Sequence, residues 1–227
     1  MVLQVTGCNR ELEPEPFDTL HFPNDSGQVR TYEVFDTTFT VEDTIARHYF
    51  RQERVAGLEE DLIGRQVNVL EIWQAPIDSG SGQPGEYEYF ATWQQWKSNQ
   101  YAERIEGNIR FQVMQFPIEA EATWDGNAWN ALDEDPTLAY GPFFYESIDT
   151  VMNVRGTTYE GVAKVRHRNV TGSLISQIDT WEAYAPGIGK IRRFDRFVRF
   201  NIDEDGEELS TDSYIYDEYL VDYSGFE

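Results

Sequence analysis

The chain is predicted to be an all-β protein: a single strongly curved antiparallel sheet or incomplete β-barrel of about ten strands, with at most a short helix. Three observations predict it. Segment after segment alternates apolar and polar residues with a period of two, as where Ile109, Phe111 and Val113 alternate with Arg110 and Gln112, the spacing of a half-buried strand. Short polar turns separate the segments at Asp78 to Gly85, Asp125-Gly126-Asn127, Arg155-Gly156, Thr171-Gly172 and Asp203 to Gly206; such even spacing makes an antiparallel meander. Several segments are apolar on both faces, with Val67, Val69 and Trp73 opposed to Leu70 and Ile72. Both sides therefore need cover, and a sheet this wide curls.

In chain order, residues 1–8 are expected to be the remnant of an export signal. Residues 9–27, polar and proline-bearing from Asn9 to Pro16, are expected to be a flexible tether, and residues 28–227 a single β domain. Strands are expected over Val29 to Val41, Ile45 to Val55 and Gln66 to Gln74, with the one short helical turn at Leu58 to Ile63 between the last two. Tyr87, Tyr89, Ala91 and Trp93 share one face of the next strand, and Ile109 to Val113 form another. Later strands are read at Ile148 to Val154, then where Ala163, Val165 and His167 alternate with Lys164, Arg166 and Arg168. Ile175 to Tyr184, Lys190 to Ile202 and Ser213 to Tyr223 complete the set. The concave side of such a sheet must be filled by side chains, a short helix or a ligand.

Composition narrows the function. Among 227 residues, 41 are acidic and 18 basic, a formal charge of -23 with a pI near 4.3. That field repels phosphate backbones, so nucleic acid is not expected as a partner. The only cysteine is Cys8, which excludes an internal disulfide and a cysteine-cluster metal site. His21, His48 and His167 lie in no metal-ligand spacing, His167 reading as a hydrogen-bonded core residue. No run of about 18 apolar residues is present to span a bilayer as a helix. A serine nucleophile elbow, a phosphate-cradling glycine loop and a zinc motif are absent. Acidic pairs such as Glu71 with Glu88 suit a glycosidase, but 41 carboxylates make chance pairs abundant. No enzyme activity and no cofactor are expected.

At the amino end, Val5-Thr6-Gly7-Cys8 resembles the lipobox of Gram-negative lipoproteins, followed here by a tether-like run. The resemblance implies that Cys8 is the first mature residue, carries lipid, and moors the domain to a membrane. With Asn9 after Cys8 it implies the outer membrane; Glu11, Glu13 and Glu15 resemble tags that send lipoproteins to the cell surface, so both the periplasmic face and the surface stay open. In mid-chain, Phe116-Pro117, Trp124-Asp125-Gly126-Asn127 and Asn130 precede Tyr184-Ala185-Pro186-Gly187-Ile188-Gly189. These segments, in that order, resemble a group of uncharacterised Gram-negative bacterial lipoproteins with FP…WDGN and YAPGIG motifs. More distantly the pattern is similar to exported half-barrel lipoprotein carriers. The implied fold is an exported β-rich domain, with no chemistry attached.

Four candidate sites follow. An apolar or amphipathic ligand, or a partner protein, is expected in the concavity of the sheet. Trp124 and Trp129 flank a polar turn, which is how sugar-stacking platforms are built and also how aromatic residues pack onto a sheet; Asp125-Gly126-Asn127 between them suits a tight turn with positive φ. Lys164, Arg166 and Arg168 share one expected strand face, as do Lys190, Arg192 and Arg196. Together they form either a cationic stripe for a lipid phosphate or anionic surface, or cross-strand pairs with Glu160, Asp179, Glu182 and Asp195. Asn201, Asp203, Asp205, Gly206 and Asp212 fall at calcium-loop positions, although a hairpin with an Asp-Gly turn accounts for the same letters.

Overall fold

The computed structural model describes residues 17–40, 42–130, 142–170, 176–202, 208–210 and 213–225. Among the described residues a 3-10 turn, Phe17–His21, precedes thirteen strands. They are β1 (Val29–Phe39), β2 (Thr44–Glu60), β3 (Gln66–Pro76), β4 (Glu88–Lys97), β5 (Tyr101–Glu106), β6 (Ile109–Gln115) and β7 (Thr123–Trp124). There follow β8 (Phe143–Val154), β9 (Thr157–Val170), β10 (Ser176–Ala185), β11 (Gly189–Ile202), β12 (Glu208–Ser210) and β13 (Ser213–Ser224). The expected all-β, curved antiparallel sheet is what forms, in the order β6-β5-β4-β3-β2-β1-β13-β11-β10-β9-β8-β7, with β12 paired to β11 off this path. Most strands neighbouring in sequence are thus neighbours in space, and the first and last described strands meet in mid-sheet where β1 pairs with β13.

The ends of that path, β6 and β7, come together, so the sheet is a nearly closed barrel. Gln112 N donates to Gly126 O at 2.9 Å, Trp124 Nε1 donates to Gln112 O at 2.8 Å, and Asn130 Nδ2 donates to Arg110 O at 2.7 Å. Asn130 also donates to Asn127 Oδ1, whose backbone N–H in turn donates to Asp125 Oδ1. The Trp-Asp-Gly-Asn segment is therefore the seam of the barrel. Its glycine is needed for a different reason from the one expected: Gly126 is not among the residues with positive φ, but a Cβ there would lie 2.4 Å from the Phe143 ring. Trp124, Phe143, Tyr145, Met114 and Phe116 pack behind the seam.

Two expectations are corrected. The helical turn at Leu58 to Ile63 does not form: β2 runs on to Glu60, pairing Leu58 with Asn68 and Glu59 with Val67. Asp61 then turns the chain, its Oδ1 accepting the N–H groups of Ile63 and Arg65, and Leu62 and Ile63 are left exposed. The apolar letters there cap a hairpin and cover no helix face. Nor are residues 17–27 a free tether. Thr19, His21 and Phe22 are buried, Gly187 N donates to Leu20 O at 2.8 Å, and Asp18 Oδ2 accepts from Ile118 N. This segment plugs one end of the barrel against the β10–β11 turn. In that turn Gly187 and Gly189 both have positive φ, and at Gly189 the Arg30 guanidinium lies 2.8 Å from where a Cβ would sit.

The tip of the β8–β9 hairpin folds over the outside of β1 and β13. Arg155, at φ 51°, lies 5.5 Å from the ring centroids of both Phe35 and Tyr219 and pairs with Glu33. Beneath it Val154, Tyr159, Val162, Trp181 and Ile191 form a second apolar cluster. The outer face of β1 and β13 is thus covered by this hairpin.

Candidate functional site

Inside the barrel, charged side chains cross from wall to wall. Arg51 on β2 donates through Nη2 to Glu218 on β13 at 2.6 Å and to Glu53 at 3.0 Å, and through Nη1 to the Tyr216 hydroxyl at 3.0 Å. Lys190 on β11 donates to Glu53 at 2.8 Å and stands 3.2 Å from Glu218. A second set stands beside it: Arg104 on β5 donates to Glu182 on β10 at 2.6 Å and to Glu106 at 2.6 Å, and Arg193 on β11 donates to both Glu106 oxygens at 3.3 Å. Glu182 also accepts from the Tyr184 hydroxyl at 2.5 Å. Four cations thus meet four glutamates, with Glu182 and Glu218 fully buried. Buried charges persist only when paired in this way.

Burial alone raises a carboxyl's pKa, and the partners of Glu53, Glu106 and Glu182 reverse it. Lys190, Arg51 and Arg30 hold Glu53 well below the usual carboxylate range. Arg193 and Arg104 hold Glu106 down to about 2, and Arg104, His167 and Arg193 hold Glu182 well below its ordinary value. His167 goes the other way for a base: burial pushes it down to about 4 against the pull of Glu182, so it is neutral at pH 7. It stacks on Phe143 with ring centroids 4.3 Å apart, so the expected core position holds, but the expected hydrogen bonding is corrected in part: its buried Nε2 makes no hydrogen bond and stands 3.6 Å from Glu182. Burial also raises Asp195, against Arg193 and hydrogen bonds from Thr180 and Tyr214.

At the end of the barrel opposite the plug, the lumen opens. A cleft of about 690 Å³ is lined by Tyr49, Tyr89, Phe90 and Trp93 together with Arg51, Asp36 and other residues. It continues into a second space of about 460 Å³ that shares Asp36, Arg51 and Trp93 and adds Glu106, Arg193, Asp195, Tyr214 and Tyr216. Volumes of this size suit a small ligand. The guanidinium of Arg51 lies 5.2 Å from the Trp93 ring centroid, and that of Arg193 lies 5.6 Å from Tyr216. The inner half of the concavity is thus filled by paired charges, and its mouth is open, walled by aromatic residues over a charged floor.

The other sequence-derived candidates are dispersed. Trp124 is only 6% exposed and Trp129 is 54% exposed. The first belongs to the seam, so the pair makes no sugar-stacking platform. The cationic stripe is split by two β-bulges. One falls between Thr180 and Trp181 opposite β9, setting Lys164 and Arg166 on the outside, whereas Arg168 pairs with Thr180 and is turned inward. The other falls between Ala183 and Tyr184 opposite β11, sending Lys190 inward and Arg192 outward.

On the outer face Lys164 meets Glu146 at 3.2 Å, and Arg166 meets Glu146 at 2.5 Å and also Asp179. Arg192 donates to both oxygens of Asp217, and Arg196 donates to Gln177 at 3.2 Å. Of the expected partners, Asp179 pairs outside, whereas Glu182 and Asp195 face the lumen. Glu71 and Glu88 are not cross-strand neighbours, since Glu71 pairs with Thr92 and Glu88 with Gln74. Cys8 and the calcium-loop residues Asp203, Asp205, Gly206 and Asp212 lie outside the described residues, as does the side chain of Asn201. Among the described residues no cluster of three or more acidic, histidine or cysteine side chains could hold a metal ion.

Sequence reasoning missed Arg51, Glu53, Arg104, Glu106 and Glu218. No signal in the sequence marked them: Arg51 and Glu53 alternate with Gln52 and Arg54, so neither face of that segment reads as the buried one.

No protein-family model matches the chain, and no curated protein matches it. Solved structures similar to it include a candidate lipoprotein from Parabacteroides distasonis, at 12% identity and a TM-score of 0.45, covering 90% of this chain and 98% of the other. Another is a candidate exported protein with a YmcC-like fold from Bacteroides fragilis, at 16% identity and a TM-score of 0.38, with the same coverages. Likenesses at this level assign no residue and no activity.

Proposed function

We propose that the chain is a binding domain of the cell envelope, moored through a lipid on Cys8, that captures an amphipathic ligand in the mouth of its barrel. The observation that carries the reading is the open cleft lined by Tyr49, Tyr89, Phe90 and Trp93 above Arg51: a concave, aromatic surface with a few fixed polar groups is the form of a small-molecule site. Phe90 and Tyr89 at its rim are 59% and 55% exposed, apolar surface that a ligand would remove from water.

Titration with N-phenyl-1-naphthylamine, an apolar fluorescent probe, tests the cleft. Saturable binding is expected, lost in Trp93→Ala and kept in Trp129→Ala; binding without saturation, or unchanged in Trp93→Ala, removes the reading. Mass spectrometry of protein from its own host tests the anchor, where an unmodified Cys8 thiol would overturn it.

A further inference from the structure

We infer that the ligand of the mouth carries a cationic head, an amine or quaternary ammonium, with its apolar part laid along Tyr49, Phe90 and Trp93. The inference rests on the reading of the mouth as a binding cleft and adds the ligand's chemical class. Its first support is the count of charges. Arg51, Lys190, Arg104 and Arg193 are each within hydrogen-bond reach of at least one of Glu53, Glu218, Glu106 and Glu182, so the floor carries no excess of positive charge to receive an anion. Beyond this neutral set the described residues of the cleft present Asp36, Glu88 and Asp195, against Arg47 as the one further arginine or lysine among them. Arg47 is 64% exposed in its side chain and reaches Asp36 only at 3.8 Å, a surface contact of small worth. Arg168, inward but buried, does not line the cleft.

The second support is an oxygen held ready. Asp195 Oδ1 accepts from the Thr180 hydroxyl at 2.9 Å and from the Tyr214 hydroxyl at 3.2 Å, which fixes the carboxylate. Its Oδ2 stands 4.0 Å from the Arg193 guanidinium, outside hydrogen-bond reach. The third is the walls. Aromatic faces attract cations, and this lumen already uses them so: Arg51 lies over Tyr32 and Trp93, Lys190 over Tyr32, and Arg193 over Tyr216. A net charge of -23 draws cations toward the mouth and repels anionic amphiphiles.

The test compares three probes with one tail, dodecyltrimethylammonium, dodecyl maltoside and dodecyl sulfate, below their micellar concentrations by isothermal titration calorimetry. The ammonium is expected to bind at least tenfold more tightly than the sulfate and several-fold more tightly than the maltoside. Glu88→Gln and Asp195→Asn should each weaken it several-fold while leaving the maltoside unchanged, with circular dichroism confirming the fold. Tetramethylammonium and Trp93→Ala separate cleft binding from attraction to the acidic surface, since each should abolish the tight phase. Equal affinity across the three heads, or preference for the sulfate, overturns the cationic class while the cleft stands. Failure of all three to bind removes cleft and class together.

Discussion

Arg104 and Glu182, 78 residues apart in the chain, meet at 2.6 Å across the inside of the barrel. Neither has a water-facing side: Glu182 is fully buried, and Arg104 is 5% exposed. The contact joins β5 near one end of the sheet path to β10 near the other. It ties together walls that no backbone ladder joins, and Arg193 repeats the tie from β11 to Glu106.

Breaking that pair from one side should be costly and removing it from both much less so. Glu182→Leu alone leaves a buried guanidinium with one counter-ion fewer, and is expected to lower stability by about 3–5 kcal/mol. Arg104→Met combined with Glu182→Leu removes equal and opposite charge, leaves Arg193 with Glu106, and should recover most of the loss. Urea unfolding of the singles and the double closes the cycle; a double mutant as unstable as the sum of its singles would show that the two do not interact.

Acid should loosen the barrel in two stages. His167 has a folded pKa near 4 against an ordinary 6.5, so the unfolded chain binds its proton first and stability falls as pH drops from 6.5 to 4, by on the order of 3 kcal/mol. Glu106, held at about 2 against an ordinary 4.5, contributes stability that is whole above 4.5 and lost as pH falls toward 2. Asp195, raised by burial, opposes this, since its folded form takes up a proton more readily than the unfolded one. Denaturation midpoints between pH 7 and 4 should fall in the wild type, and Phe or Gln at position 167 should flatten that limb. A midpoint independent of pH from 6.5 to 4 would contradict the burial of a neutral His167.

The seam depends on a missing atom. A methyl at residue 126 would press on the Phe143 ring at 2.4 Å, so Gly126→Ala is expected to destabilise by about 1–3 kcal/mol. Phe143→Leu, destabilising by itself, should cost less in the Gly126→Ala background because it vacates the space the methyl needs. Thermal unfolding of the four proteins tests this; strictly additive losses would mean that the clash is relieved elsewhere.

The all-β class and most strand centres were legible because alternation is a local property. Ile109 to Val113 reads as a strand in any context, and β6 spans it. What could not be read is what one extra residue does to a face. Lys190 and Arg192 have the spacing of two side chains on one side, yet the bulge at Ile191 sends the first to Glu53 and the second to Asp217. Likewise Arg51 and Glu53 carry the letters of a solvated surface, and only the strand order reveals their partners: Glu218, 167 residues away from Arg51, and Lys190, 137 residues away from Glu53. The Trp-Asp-Gly-Asn segment stood out in the sequence, but its role as a seam depends on β6 lying alongside.

Two tryptophans five residues apart provide the sharpest contrast. Trp124 donates its indole N–H to Gln112 O at 2.8 Å and packs against Tyr145 with ring centroids 5.0 Å apart. Trp124→Phe keeps most of the ring yet leaves a seam carbonyl short of a donor, and is expected to lose about 1–3 kcal/mol. Trp129 is 54% exposed, and Trp129→Ala, although the larger truncation, should change stability by no more than about 0.5 kcal/mol. If the two unfold at the same urea midpoint, the seam contributes nothing measurable and closure must rest on the buried ion pairs. If Trp124→Phe alone shifts, and Trp124→Phe with Gly126→Ala loses less than the sum of the two, the hydrogen bond and the close packing act as one latch on the same edge.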